Sequence, residues 1–267
     1  MDIETIVETI VEEAIRSYLD KKTSPKTKHV ILDEIFPVER RIRSIIGGLE
    51  GSIGTKIWEK LSYIFASKSG FSIHNPREFY KPKKLPNRIS DFLAKVSNER
   101  KDNPNQTNFN KILTELRRMC FQESSDAIEF VSTSSGDGID MWFVKDGRHY
   151  IFDTKTVQIN SSNANNFANK VLHWYSYFWL RYPNEEVTVG IVFPYSPYGP
   201  TFDSDSWWQN NGGRAKPLQR EMDAFVQDEF WDLITGTKDS WKRIKTGIKR
   251  VGSRNLAEKY SELFYGE

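Results

Sequence analysis

The sequence is poor in the residues that build disulfide and metal-thiolate sites. One cysteine, Cys120, in 267 residues excludes an internal disulfide framework and gives no sign of secretion. The four histidines, His29, His74, His149 and His173, are scattered, and with a single thiol they offer no zinc-binding spacing. No apolar run approaches the ~18 residues a membrane span needs, so no membrane association is expected. The start of the chain is acidic and amphipathic and lacks the basic and apolar stretches of a signal peptide, which leads us to expect a cytoplasmic protein. An excess of charge is missing too. The 38 Lys and Arg nearly balance 36 Asp and Glu, so net charge alone gives no argument for a polyanionic partner.

What is present describes a folded protein. Hydrophobic residues at 38% and charged residues at 28% fit a globular chain rather than a disordered one, and the length allows one large domain or two small ones. Eight tryptophans add core volume. Charge is uneven along the chain. Residues 1–20 hold six acids (Asp2, Glu4, Glu8, Glu12, Glu13, Asp20) against Arg16, whereas 236–254 hold Lys238, Lys242, Arg243, Lys245, Lys249, Arg250 and Arg254 against Asp239. The basic stretch fits either a local polyanion patch or a solvated face.

Helical spacing of Ile3, Ile6, Val7, Ile10, Val11, Ala14, Ile15 and Tyr18 predicts an amphipathic helix over 3–19. Pro37 opens a second helix. A glycine-rich break at Gly47, Gly48, Gly51 and Gly54 separates it from a third, Lys56–Ser67. Residues 70–110 read as an extended loop with short helices, and 108–121 as a helix facing Phe109, Ile112, Leu113, Leu116 and Met119 inward. The period then changes. Met141–Val144 and His149–Thr156 read as strands around the hairpin turn Asp146-Gly147, followed by an aromatic helix over 164–182 and a strand, Val187–Phe193. The tail, 216–264, returns to helix. This order implies an α/β core with a mixed sheet. One domain is expected over 1–267, with a mainly helical part over 1–125, a core over 126–200 and a helical part over 201–267.

A two-residue turn at Asp146-Gly147 makes Lys145 face Arg148, and counting back puts Asp140 opposite Asp153. Opposed residues share a sheet face with Cβ atoms roughly 4.5–5.5 Å apart. Two carboxylates held so repel each other unless a cation sits between them, and Mg²⁺ is the usual occupant of such a site. Lys155, two residues beyond Asp153, returns to the same face, and Gly138 opposite it leaves open space. Asp137 has the wrong parity. Such a cluster can bind a phosphodiester, acidify a water and stabilise the phosphorane charge. The same residues also fit an ordinary surface hairpin with a salt bridge. Acid-x-Lys recurs at Asp20–Lys22 and Glu99–Lys101 without any strand pattern, so the hairpin context carries the signal. Gly54-Thr55-Lys56 lacks the order of a phosphate loop. Gly212-Gly213-Arg214 fits a phosphate-contacting loop or a plain turn, and Trp207-Trp208 reads as packing.

Ser135-Gly136-Asp137-Gly138-Ile139-Asp140 followed by Phe152-Asp153-Thr154-Lys155-Thr156 resembles the PD-(D/E)xK nuclease signature, with Gly-Ile in place of the proline and Asp in place of the more usual Glu. Three further segments resemble TdeIII-type type II restriction endonucleases: Phe36 to Ser44 running on through Gly47-Gly48-Leu49-Glu50, then Phe193 to Tyr198, then Glu229-Phe230-Trp231-Asp232. The resemblance implies a restriction-endonuclease-like fold and a bacterial or archaeal defence enzyme. It also implies a homodimer that uses Mg²⁺, or Mn²⁺ in its place, to cut both strands of a short palindromic duplex of GGNCC type, partnered by a cognate DNA methyltransferase. Asp140 and Asp153 would be the metal ligands and Lys155 the catalytic cation. A preceding helix often adds a third acid, here Glu59 or else Glu50. Gln158 would position the water or the sheet end. For DNA contact the candidates are Arg40, Arg41, Arg43, Asn163 in the run Asn160–Asn166, and Arg214. Arginine suits guanine in the major groove, but phosphate contacts, ion pairs with Glu34 and Glu39, or a helix cap at the asparagines fit as well. A structure-specific repair or recombination nuclease and a non-catalytic DNA-binding protein remain the alternatives.

Overall fold

The computed structural model describes residues 2–22, 29–123, 127–133, 137–155 and 158–266. In chain order the elements are α1 (Ile3–Leu19), α2 (Val30–Ile35), α3 (Pro37–Ile53), a π-helical turn (Gly54–Glu59), α4 (Lys60–Lys68), β1 (Ser72–Ile73), β2 (Tyr80–Pro82), α5 (Asn87–Asp102), α6 (Phe109–Phe121) and β3 (Phe130–Ser132). Then come β4 (Met141–Lys145), β5 (Arg148–Thr154), α7 (Ser161–Arg181), β6 (Glu186–Phe193), α8 (Ser204–Asn211), β7 (Ala224–Val226), α9 (Asp228–Thr235), α10 (Ser240–Gly252), α11 (Leu256–Lys259) and α12 (Ser261–Tyr265). They divide into two compact units, one of residues 1–65 with 239–267 and one of residues 66–238. No described helix is long and apolar enough to cross a membrane.

In the first unit α1 packs on α10. Gly247 permits the close approach, because a Cβ there would lie 2.6 Å from Glu4 O and 2.8 Å from Val7 Cβ. The uneven charge of the sequence is resolved at this contact. Arg243 pairs with Glu4, Arg250 with Glu8, and Arg254 with both Glu8 and Glu12. The acidic face of α1 thus neutralises part of the basic stretch that the sequence left open to a polyanion. The expected glycine break between helices is absent: α3 runs through Gly47, Gly48 and Gly51 and passes by way of the π turn into α4. Each glycine costs a helix about 1 kcal/mol. Packing offsets that cost at Gly48, where the Tyr18 ring occupies the space of a side chain and donates its hydroxyl to Ile45 O at 3.0 Å.

The second unit is built on a five-stranded sheet of order β1-β4-β5-β6-β7. β1, β4 and β5 are antiparallel neighbours, whereas β5, β6 and β7 run parallel. The β4–β5 hairpin turns through Asp146 (φ 51°) and Gly147 (φ 74°), the left-handed pair that a tight two-residue turn requires. Its register pairs Lys145 with Arg148 and Met141 with Phe152. α7 is the crossover that parallel β5 and β6 need, and the Asn160 side chain caps it by accepting the Asn163 N–H at 2.9 Å. One face of the sheet buries Trp142, Ile151, Val189 and Ile191 against Trp174, Tyr175 and Phe178 of α7. On the other, Phe152 meets Phe225 and Phe230 edge-on, both at 5.3 Å. β5 is therefore covered on both sides at Ile151, Phe152 and Asp153.

Two further expectations are corrected here. The loop read over 70–110 contains the sixteen-residue α5. Its stripe of Ile89, Leu93, Val96 and Arg100 has helical spacing but is masked by Pro, Asn and Lys on either side. The tail is not all helix: Ala224-Phe225-Val226 forms β7 beside β6, three residues being too few to show an alternating period. Arg100 and Asp223 form a buried ion pair, 1% and 0% exposed, with Arg100 Nη2 also donating to Pro217 O at 2.7 Å. Nε and Nη1 of Arg100 have no hydrogen-bond partner among the described residues. Asp223→Ala would strand that cation in the core. It is expected to lower stability by about 3–5 kcal/mol, read as a shift of the urea midpoint, and an unchanged midpoint would contradict the pairing.

Candidate active site

The site grows from the open end of the β4–β5 hairpin, where β4 begins and β5 ends. Strict pairing stops at Met141–Phe152, one pair earlier than counting predicts. Asp140 leaves the ladder: its N–H donates to Phe152 O at 3.0 Å while its carboxylate Oδ2 accepts the Thr154 N–H at 2.8 Å. An aspartate side chain competes with main-chain acceptors in this way at element ends. The exchange turns the Asp140 carboxylate across the hairpin toward Asp153, and the two carboxyl groups meet through a side-chain hydrogen bond.

Asp153 is the buried member, 3% exposed, because β5 is covered on both faces. Lys155 follows on the same side, its backbone N–H tied to Val192 O at 2.9 Å. Its Nζ lies 2.5 Å from Asp153 Oδ2 and 5.9 Å from the centroid of the Phe167 ring on α7. That ammonium is the ion-pair partner of the buried Oδ2. Burial and the neighbouring Asp140 charge push the Asp153 pKa up to about 7, against the pull of Lys155. Gly138 is open enough that an added Cβ would meet only Thr133 Oγ1, at 3.6 Å.

Asp140, Asp153 and Lys155 are therefore brought together. Asp137 is turned elsewhere, its carboxylate 2.5 Å from Lys81 Nζ and its carbonyl accepting from Trp174 Nε1 at 2.9 Å. Gln158 is exposed, three residues past Lys155. Asn163 sits exposed in the first turn of α7, and Arg214 is exposed in the turn after α8. Glu50, Glu59, Arg40, Arg41 and Arg43 belong to the first unit. There Glu59 closes the π turn, and Arg40 pairs with Asp33 at 3.1 Å. Ser135, Gly136 and Thr156 of the motif lie outside the described residues. Trp207 is core, fully buried against Phe193 at 4.6 Å.

A groove that sequence reasoning passed over runs along α7 beside Asp137, lined by Asn166, Lys170, His173 and Tyr177. Their spacing of three and four residues on one helix face was the available signal. Among the described residues no cluster of three or more His, Cys, Asp or Glu is arranged to hold a metal. The donor set at hand is the two carboxylates. Oxygen donors of this kind, one of them on a buried carboxyl group, suit a hard divalent cation.

Folded Asp153 keeps its proton to about pH 7, whereas the ordinary aspartate value is 3.8. Between those values the folded chain binds more protons than the unfolded one, so stability falls as pH rises through the window. With chelator present, Asp153→Asn is expected to melt above the wild type at about pH 8 and to converge with it near about pH 4. Equal melting temperatures at the higher pH would contradict the burial of a charge there.

Over residues 1–252 the chain matches the family described as type II restriction endonuclease, HinfI. No curated protein matches it.

Proposed function

The chain belongs to the HinfI family of type II restriction endonucleases, and we propose that it hydrolyses double-stranded DNA at the Asp140, Asp153 and Lys155 cluster. The observation that carries this reading is the buried Asp153 carboxylate, set against a second carboxylate and one ammonium. Asp140 and Asp153 would hold the divalent ion, Mg²⁺ or Mn²⁺. Bound there, the ion supplies positive charge at the scissile phosphate and acidifies a nearby water.

The chain's own groups do the rest. Thr154 N–H fixes one Asp140 oxygen, and the dry sheet around Asp153 keeps bulk water from screening the charges at work. Lys155, partly exposed beside Phe167, orients the attacking water and stabilises the charge that grows on the phosphate oxygens. Water adds to phosphorus, the 3′ oxygen leaves, and a 5′-phosphate remains. Gln158 assists in positioning that water, and Asn163 and Arg214 supply exposed polar contacts to DNA. The site read is a short palindrome of GGNCC type, a specificity that rests only on the segments around Phe36, Phe193 and Glu229. The enzyme acts as a homodimer in the cytoplasm of a bacterial or archaeal cell beside a cognate methyltransferase.

Plasmid digestion tests the proposal. With Mg²⁺ the wild type should give discrete fragments whose sequenced ends define the site. Asp153→Ala and Lys155→Ala should each slow cutting by at least about 10²–10³-fold, with DNA affinity in a gel shift nearly unchanged. Normal cutting by Asp153→Ala would overturn the site. A smear or junction-only cleavage would favour a structure-specific nuclease, and binding without cleavage in every divalent metal a non-catalytic protein.

A further inference from the structure

The first unit carries an apolar surface that its own fold leaves uncovered. Val30, Ile31, Ile35, Phe36, Val38 and Ile46 are 77%, 66%, 60%, 48%, 40% and 39% exposed, on α2, the residue joining it to α3, and α3 as far as Ile46. None of the α2 residues is buried. A six-residue helix has little stability alone in water. This one is held by the His29 ring, which accepts the Leu32 N–H at 3.3 Å, and by its neighbour α3. On α3, Val38, Ile42 and Ile46 recur every fourth residue, which keeps them along one side, and Ile42 of that row turns partly into the cluster of Leu19, Ile45 and Phe264. Apolar side chains placed in a row on the outside of a marginal helix cost solvation and return nothing within the chain.

We propose that this α2–α3 face is the contact between two copies of the chain. Charge favours a self-contact. Residues 30–46 hold Asp33, Glu34 and Glu39 against Arg40, Arg41 and Arg43, three of each sign. A two-fold contact sets each patch against itself, so a one-signed surface would repel its own copy, whereas this one offers acid to base and base to acid. Area favours it too. The six side chains expose on the order of 500 Å² of apolar surface, at the upper end of what monomers leave open. With a rim drawn from the neighbouring charged residues this approaches the roughly 800 Å² per partner of a stable interface. The substrate argument points the same way and rests on the reading of the site given above: one Asp140–Asp153–Lys155 cluster per chain cuts one strand, so a symmetric duplex cut on both strands takes two chains. In this arrangement Arg40 and its neighbours serve the protein contact rather than guanine.

Sedimentation analysis of the metal-free protein without DNA tests the face independently of any nuclease activity. The wild type should sediment at twice the chain mass at micromolar concentration. Ile31→Asp with Ile35→Asp should weaken self-association by about 100-fold and give the single-chain mass, with an unchanged far-UV spectrum because both side chains are exposed. On supercoiled plasmid the same variant should accumulate nicked circles before linear product. A wild type that is monomeric throughout, or a variant that remains dimeric, overturns the proposal. A variant whose mass is unchanged but whose DNA affinity collapses would make the face a DNA contact instead. Dimer loss in a protein whose wild type shows no cleavage would leave this interface standing and remove the nuclease reading alone.

Discussion

Two carboxylates forced together at the dry end of a β-hairpin repel each other, and the surrounding structure gives them no way apart. Asp153 sits on the central strand of a five-stranded sheet covered on both faces, and it is fixed in place by pairing with β6. Asp140 is held by two main-chain bonds, one to Phe152 O and one from Thr154 N–H. Burial, with the Asp140 charge beside it, pushes the Asp153 pKa up to about 7, and a proton kept there relieves the repulsion. On the proposed reading a divalent ion would relieve it better, since it would satisfy both carboxyl groups at once. The sheet thus stores an electrostatic problem that, on the proposed reading, a cation would resolve.

The crossover helix completes that corner. α7 seals the face of β5 with Trp174, Tyr175 and Phe178, and it sets Phe167 beside the Lys155 ammonium. The lysine is left 27% exposed while its partner is nearly sealed, so in the proposed mechanism the ammonium would be the group open to substrate. Charge is handled differently in the first unit. The acidic face of α1 takes up Arg243, Arg250 and Arg254 of the basic stretch, which explains a near-neutral total in a protein whose substrate is a polyanion. The remaining apolar surface of α2 and α3 is the part of that unit the chain itself does not answer.

Much of the site was legible in the sequence because a two-residue turn leaves no freedom of register. Asp146-Gly147 requires positive φ at both positions, and once Lys145 faces Arg148 every pair back to Met141 and Phe152 follows. What counting could not see was Asp140 leaving the ladder, since that depends on a side chain outbidding a carbonyl for the Thr154 N–H. The long helices α1, α6 and α7 were readable from unbroken apolar periods. α5 was hidden because its stripe is interrupted by polar residues and ends in Arg100, a cation buried only because Asp223 is far along the chain to receive it. The continuity of α3 through its glycines was unreadable for a related reason: Tyr18, some thirty residues away in sequence, fills the space left at Gly48. Strand β7 was too short to have a period at all.

The central claim is that the Asp140–Asp153 pair is built for a cation, and calorimetric titration of the metal-free protein with Mn²⁺ measures this most directly. Carried out just below neutral pH in two buffers of different ionisation heat, it should show at least one ion bound per chain with release of close to one proton, as Asp153 ionises to accept the metal. Asp140→Asn should remove both the binding and the proton release. Binding that survives that substitution, or a titration with no heat beyond dilution, would contradict the account.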